Sequence, residues 1–156
     1  LLVAAGAVYS HQLHLFGNGM AVSVISTAAG KCTMSFSDAL IRGVFCNFLV
    51  CIAVWISFAA KDAAGKVIGL FFPIMIFVLC GFEHSVANMY YNGAGLMAKT
   101  VPEYLDAALA AGLNPDVINL GNFLFANLLP VTIGNILGGG VCVGGVYWLA
   151  YLRKAD

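Results

Sequence analysis

The chain has 156 residues, of which 62% are hydrophobic and 9% are charged, and its formal net charge is zero. Ordinary soluble domains are about a quarter charged, and a soluble domain of this length could not hide so much apolar surface. The composition therefore excludes a soluble globular domain, gives no indication of nucleic-acid binding, and predicts an all-α polytopic membrane protein embedded in a lipid bilayer.

The first apolar segment, residues 1–10, is too short to span a bilayer, which takes about 20 helical residues. It has neither an initial methionine nor the positively charged stretch of a signal peptide. We expect it to be the remnant of a transmembrane helix, and the chain to be the C-terminal portion of a longer membrane protein. His11-x-x-His14 follows without a nearby cysteine or carboxylate, which favours surface histidines over a metal site. The five cysteines form no C-x-x-C pair, and neither a metal nor a cofactor is expected.

The second segment, residues 38–60, is entered through Ser37, a suitable N-cap, and Asp38, whose charge suits the positive end of a helix dipole. Asn47 lies inside it, and an amide at membrane depth requires a hydrogen-bonding partner. Two interpretations stay open: Asn47 joins two helices, or it pairs with His84 or with a substrate.

The third segment, residues 67–98, is interrupted at residues 81–88, where Glu83 and His84 lie in the middle of an apolar stretch. Charged groups at membrane depth cost about 2.5–3.5 kcal/mol on insertion scales, and they usually face a bundle interior or a water-filled pathway. His84 is therefore a candidate functional residue, with a structural histidine as the alternative. Glu83 is better explained as a structural residue that closes the loop, because a negative charge in a pore would oppose anion passage.

A broken transmembrane helix is tolerated only where its freed backbone is buried in protein or lines a cavity. Gly81 supplies the permissive backbone dihedrals, and Ser85 can cap the second half-helix. The free N–H groups of that half-helix would favour an anion at mid-membrane.

The fourth segment, residues 123–152, contains two G-x-x-x-G pairs, which permit close helix approach. The loop at residues 99–122 is mainly acidic and includes a short predicted surface helix. Positive loop residues favour the cytoplasm, and they occur between the second and third segments and at the end of the chain (Lys61, Lys66, Arg153 and Lys154). We therefore predict a multi-pass protein of the cell inner (plasma) membrane with a cytoplasmic C-terminus. Lys31 then falls on the outer side, in a connection between the first two segments.

Three motifs carry a family resemblance: Gly43-x-x-Cys46-Asn47-x-x-Val50-Cys51, Gly81-Phe82-Glu83-His84-Ser85-Val86-Ala87-Asn88-Met89, and Pro130-Val131-Thr132-Ile133-Gly134-Asn135-Ile136-Leu137-Gly138-Gly139-Gly140. They resemble the fourth, the broken fifth and the sixth helices of the formate/nitrite transporter family, and they are nearest to the formate channels. They occur in the right order over nearly the whole chain.

The resemblance implies an aquaporin-like fold of six helices, built from two inverted repeats of three helices and assembled as a homopentamer with one pore in each protomer. This chain would hold the second repeat and the end of the third helix, without the first two helices. In the substrate pathway, the resemblance makes His84 the central pore histidine, Asn47 its hydrogen-bonding neighbour, Lys31 the residue that draws anions into the outer vestibule, and Phe77 an aromatic constriction. Structural roles at the helix break fall to Gly81, Glu83, Ser85 and Asn88.

The predicted function is a channel or proton-coupled transporter for small monovalent anions, with formate favoured and nitrite, hydrosulfide or short-chain carboxylates as alternatives. Imidazole titrates at about pH 6.5, so permeation past His84 would depend on pH. An enzyme is not expected, because the adjacent residues Glu83-His84-Ser85 point in different directions and cannot form a catalytic triad. A neutral-solute pore is less favoured, because the chain contains no Asn-Pro-Ala sequence, and a structural membrane subunit without transport is less favoured because the helix is interrupted.

Overall fold

The structure, a computed structural model, describes residues 1–153, and all the regular elements within them are helical. Short 3₁₀ turns occur at Gln12–His14 and Pro115–Val117. The helices in chain order are α1 (Leu2–Tyr9), α2 (Gly19–Cys32), α3 (Phe36–Ala59), α4 (Ala63–Leu79), α5 (Ser85–Ala98), α6 (Pro102–Ala110) and α7 (Asn122–Leu152). Lys154, one of the charges behind the predicted orientation, lies outside the described residues.

Two of these helices, α3 and α7, are long and apolar enough to cross a membrane, and α4 is a shorter apolar helix of 17 residues. The third predicted segment is divided, since α4 ends at Leu79 and α5 begins at Ser85. The interruption covers residues 80–84 and is shorter than the predicted 81–88. Asn88 belongs to α5, and its Nδ2 donates to Oδ1 of Asn127 at 2.8 Å.

Helix α2 occupies most of the connection between the first two predicted segments and has 14 residues. The hydroxyl groups of Ser23 and Thr27 are satisfied inside the helix, because they donate to carbonyl oxygens four residues earlier at 3.0 and 2.8 Å. Apolar residues between them, including Ala21 and Ile25, are fully buried. Lys31 therefore lies in the last turn of a helix.

The chain divides into two compact units, the first of which contains Leu1–Phe36 and Ser85–Leu129. Its buried core joins α1, α2, α5 and α6 with the loop before α7. Helices α2 and α5 approach so closely that a side chain at Gly95 would collide with Ala28. The largest fully buried side chain of this unit is Tyr104 on α6.

The second unit contains Ser37–His84 and the chain from Pro130 onward. Here α3 packs against α7 through backbone contacts that leave no room for side chains at Gly43, Gly134 or Gly138. The first predicted G-x-x-x-G pair, Gly134 and Gly138, lies in this contact. The second pair, Gly140 and Gly144, does not. Close approach at glycine is how helices pack when both surfaces are apolar and no hydrophobic effect draws them together.

Candidate functional site at the helix break

The break between α4 and α5 begins with a change of backbone direction at Gly81, whose φ is +65°. Glycine enters this left-handed region at little cost because it has no Cβ. The backbone then folds back, with the Phe82 N–H donating to the Phe77 carbonyl oxygen at 3.0 Å. The Phe82 ring stacks on Phe45 of α3 with 5.6 Å between the ring centres. Local turn geometry and one aromatic contact therefore shape the start of the break.

Glu83 fixes the rest of the break to its surroundings through its backbone. Its N–H donates to the Arg42 carbonyl oxygen at 3.3 Å, and its own carbonyl oxygen accepts from Nδ2 of Asn135 at 3.0 Å. The residue is buried. Freed backbone groups of a broken helix need such partners where water is excluded. This geometry is consistent with the structural role that the sequence suggests for Glu83.

Asn135 in α7 is the residue that organises this region, and the sequence patterns gave it no role of its own. Its Nδ2 donates to the carbonyl oxygens of Gly43 and Glu83, at 2.9 and 3.0 Å. Its own carbonyl oxygen accepts from Nδ2 of Asn47 at 2.7 Å. One buried amide thus joins α3, the break and α7. The signal that singled out Asn47, an amide in an apolar helix, applies equally to Asn135 and could have identified it.

Asn47 is not a hydrogen-bonding neighbour of His84 among the described residues. Its amide donates to the Asn135 carbonyl oxygen, so it joins α3 to α7. That is the first of the two interpretations left open by the sequence. The hydrogen bond from Asn47 to His84 that the resemblance implies is not formed within residues 1–153, and a backbone carbonyl of α7 is the acceptor.

His84 is the last residue before α5, and one polar atom of its side chain is unsatisfied. Its Nδ1 is buried without a hydrogen-bond partner in the part of the chain that the structure describes. The ring of Phe77 lies beside it, with 6.1 Å between ring centres and an interplanar angle of 37°. A buried polar atom without a partner costs free energy. A group able to accept or donate a hydrogen bond would complete this site.

Ser85 is the first residue of α5, so it lies one position later than the N-cap that the sequence predicted. Asn88 belongs to a buried amide cluster in the first unit. The Oδ1 atom of Asn127 accepts from Nδ2 of Asn88 at 2.8 Å and from Nδ2 of Asn92 at 3.1 Å, and Asn92 in turn accepts from Sγ of Cys32 at 3.6 Å. The cluster ties α2, α5 and the start of α7 together.

Lys31, at the end of α2, is attached to this cluster through its backbone, since its carbonyl oxygen accepts from Nδ2 of Asn127 at 3.3 Å. Its Nζ lies 5.2 Å from the centre of the Tyr91 ring, within the range of a cation–π contact. The charge is thus oriented by an aromatic face. Asn92 and Asn127 were not identified from the sequence, because their roles depend on which helices become neighbours.

Residues 1–153 contain no group of three or more histidine, cysteine, aspartate or glutamate side chains able to hold a metal ion. The chemistry that this arrangement supports is hydrogen bonding and proton transfer at His84, next to apolar and aromatic surface.

The comparisons with known proteins agree with one another on the family. The model of the family described as "Formate/nitrite transporter" matches residues 1–149. Among curated proteins, the chain is 45% identical over 130 residues to the uncharacterized transporter YrhG of Bacillus subtilis, covering 83% of this chain and 42% of YrhG. It is 38% identical over 146 residues to the formate channel FocA of Escherichia coli K12, covering 92% of this chain and 51% of FocA.

A solved structure described as a pentameric formate channel with formate bound superimposes with a TM-score of 0.86 at 36% identity. The match covers 97% of this chain and 60% of that one. The chain thus spans about half the length of the curated relatives it matches. Its all-helical fold is that of these channel structures.

Proposed function

The chain belongs to the formate/nitrite transporter family, and on that premise we propose that this protein is a membrane channel or transporter for small monovalent anions, most favourably formate. The observation that carries the proposal is the buried, unsatisfied Nδ1 of His84 at a helix break, with the Phe77 ring beside it. A structural histidine in a protein interior normally has its nitrogen atoms hydrogen-bonded. A buried imidazole nitrogen without a partner at a helix break therefore favours a role in a transport pathway.

The proposed mechanism begins with Lys31, whose positive charge raises the local concentration of anions at the outer side. Apolar surface that includes Phe77 then strips water from the anion, which makes the bare charge costly and favours the neutral acid. His84 supplies the proton at this point and recovers it afterwards. Formate is a weak base, so a proton offered at the narrowest point lowers its barrier.

Asn47, Asn135 and Glu83 form the scaffold of the break in this proposal. Their hydrogen bonds tie α3 and α7 to the backbone next to His84. A rigid support matters because a proton donor must stay within hydrogen-bonding reach of the passing anion. Asn47 would then act on transport by positioning and not by direct contact with the anion.

The substrate class extends to nitrite, hydrosulfide and short-chain carboxylates, which share a single negative charge and weak basicity. Formate is favoured because curated relatives at 38% and 41% identity are named a formate channel and a probable formate transporter. The solved structure at 36% identity is described with formate bound.

For the whole protein we propose an aquaporin-like fold of six helices with inverted repeats, assembled as a homopentamer. The description of the similar solved structure as pentameric supports the assembly. The excess of positive residues in the loop at Lys61 and Lys66 supports a cytoplasmic position for that loop and for the C-terminus, in the plasma membrane.

The test is flux through proteoliposomes that contain the purified protein. We expect rapid formate uptake, with no increase in water or glycerol permeability over protein-free liposomes. Water or glycerol flux without formate flux would favour the neutral-solute pore and contradict the proposal. Absence of all flux from monodisperse, folded protein would favour a structural subunit.

A further inference from the structure

The segment between α1 and α2, residues 11–18, has a backbone conformation that is rare outside glycine. His11, Phe16 and Asn18 have φ values of 61°, 60° and 68°, and Gly17 between them is also left-handed. Such conformations persist only where the surroundings hold them. The Phe16 side chain is 85% exposed, so packing of its ring does not hold the segment. The Leu13 side chain is buried in the core, and polar contacts hold the residues around it.

Those contacts meet at His14. Its Nδ1 lies 2.9 Å from Oδ1 of Asn18, and its Nε2 lies 3.1 Å from Nδ1 of His11 and 3.5 Å from Oε2 of Glu103 on α6. Asn18 directly precedes α2, where its side chain would ordinarily cap the helix. It makes no such cap here because His14 occupies it. The Asn18 side chain therefore bonds to the imidazole of His14 and leaves the N-terminus of α2 without a side-chain cap.

The number of protons on this cluster decides how many of its contacts are favourable. Oδ1 of Asn18 only accepts, so Nδ1 of His14 carries a hydrogen. If His14 is neutral, the lone pair of its Nε2 faces the carboxylate of Glu103, and two acceptors meet. If His14 carries one more proton, Nε2 donates, and both the lone pair on His11 and the Glu103 oxygen accept.

A second proton, on Nδ1 of His11, reverses this effect. It places two N–H donors and two positive charges 3.1 Å apart. The remaining titratable group in contact with His14 among residues 1–153 is Tyr104, whose ring lies edge-on with 5.0 Å between ring centres. Burial, and then the Glu103 carboxylate, raise the pKa of Tyr104, so this phenol stays neutral.

We propose that His11, His14 and Glu103 act as a one-proton lock on the 11–18 segment. The first proton ties the segment to α6 through Glu103, and the second releases it. The order of the segment is therefore greatest at intermediate pH. This inference is independent of the anion pathway, since none of the three residues belongs to it.

Hydrogen exchange of the backbone amides of Asn18, Gly19 and Met20 reports the lock directly. These amides donate to the carbonyl oxygens of His14, Phe16 and Leu15 at 3.1, 3.1 and 3.3 Å. The protein is measured in lipid nanodiscs with a chelator present, so that no metal ion can replace the proton. Rates are corrected for the intrinsic pH dependence of exchange.

We expect protection to rise about two- to fivefold from about pH 8 to about pH 6, the range for an exposed charge pair. It should fall again at about pH 5, which is still above the ordinary titration of a carboxylate at about 4.3. Protection that is flat over this range, or that changes in one direction only, overturns the proposal.

Three variants separate the two steps. Glu103→Gln should abolish the rise. His11→Asn, which keeps an acceptor but cannot titrate, should retain the rise and abolish the fall. Asp106→Asn is the matched control, because Asp106 lies on the same helix and contacts neither histidine within residues 1–153. If Asp106→Asn flattens the profile as Glu103→Gln does, general surface charge explains the effect and the lock is refuted.

Discussion

His84 and the two amides near it show how differently polar side chains can be used within one apolar environment. Asn47 and Asn135 donate hydrogen bonds to backbone carbonyl groups, and these bonds stabilise the break. His84 keeps a buried nitrogen without a partner among the residues that the structure describes. In the proposed mechanism, the amides therefore support the break and the imidazole carries the proton.

Replacing His84 with glutamine tests this division at the scale of one residue. Glutamine keeps a hydrogen-bonding side chain but cannot take up a proton. We therefore expect His84→Gln to retain formate uptake in proteoliposomes and to lose its variation over about pH 5–8, where imidazole titrates. The measurement is the initial rate of uptake at a fixed formate gradient across that pH range.

His11→Gln is the matched control for this measurement, since it removes an exposed histidine far from the pathway in sequence. It should leave the pH profile of uptake unchanged. An unaltered profile in His84→Gln would show that His84 does not supply the proton, and the proposed mechanism would then fail.

At the scale of helices, the contact between α3 and α7 holds the scaffold in place. Gly134 and Gly138 face the backbone of α3 around Leu40 and Val44, and the Asn47 and Asn135 bonds lie beside them. The backbones approach because no side chains separate them. The hydrogen bonds across the contact depend on that approach, so glycine and asparagine act together.

Gly138→Ala tests this contact, because a methyl group there would collide with the carbonyl oxygen of Val44. Backbone cannot yield as a flexible side chain can, so we expect a loss of about 1–3 kcal/mol, the usual cost of overpacking. The loss is measured as a lower midpoint of thermal unfolding in detergent.

Gly140→Ala provides the comparison on the same helix. A Cβ at Gly140 meets nothing within 4 Å, so alanine should be neutral or slightly stabilising through its helix propensity. If Gly138→Ala and Gly140→Ala destabilise the protein equally, then glycine at position 138 is not required for the contact between α3 and α7.

At the scale of the whole molecule, the distribution of loop charges predicts the orientation in the membrane. Lys61 and Lys66 stand between the second and third segments, whereas Glu103, Asp106 and Asp116 lie in the following loop. Because positive loops remain in the cytoplasm, the acidic loop should face outward.

Cysteine labelling in intact cells measures this orientation. With a membrane-impermeant maleimide, we expect Asp106→Cys to be labelled from outside and Lys61→Cys to be labelled only after the membrane is permeabilised. The parent protein, which has five cysteines of its own, provides the background. The reverse pattern would invert the topology and place Lys31 on the cytoplasmic side, where it could not recruit external anions.

The sequence alone determined the class of protein, the existence of the helix break and the family. Each follows from a local property. Long apolar runs require a membrane, ionisable residues inside such a run require a protein or aqueous environment, and three motifs in order identify the formate/nitrite transporter family. The position of Gly81 at the break could likewise be anticipated, since only backbone freedom was needed there.

Only the tertiary structure decided which polar groups become partners. The sequence left open whether Asn47 joins two helices or pairs with His84 or a substrate, and in the structure it bonds to Asn135, which lies 88 residues away in the sequence. Helix α2 forms in a stretch that the sequence marked only as a connection, and its Ser23 and Thr27 hydroxyls donate to carbonyl oxygens of the same helix. Glu103 joins His14 only once α6 packs nearby. Hydrogen bonds form between groups that the fold brings within about 3 Å, and a single sequence contains residue types but not those distances.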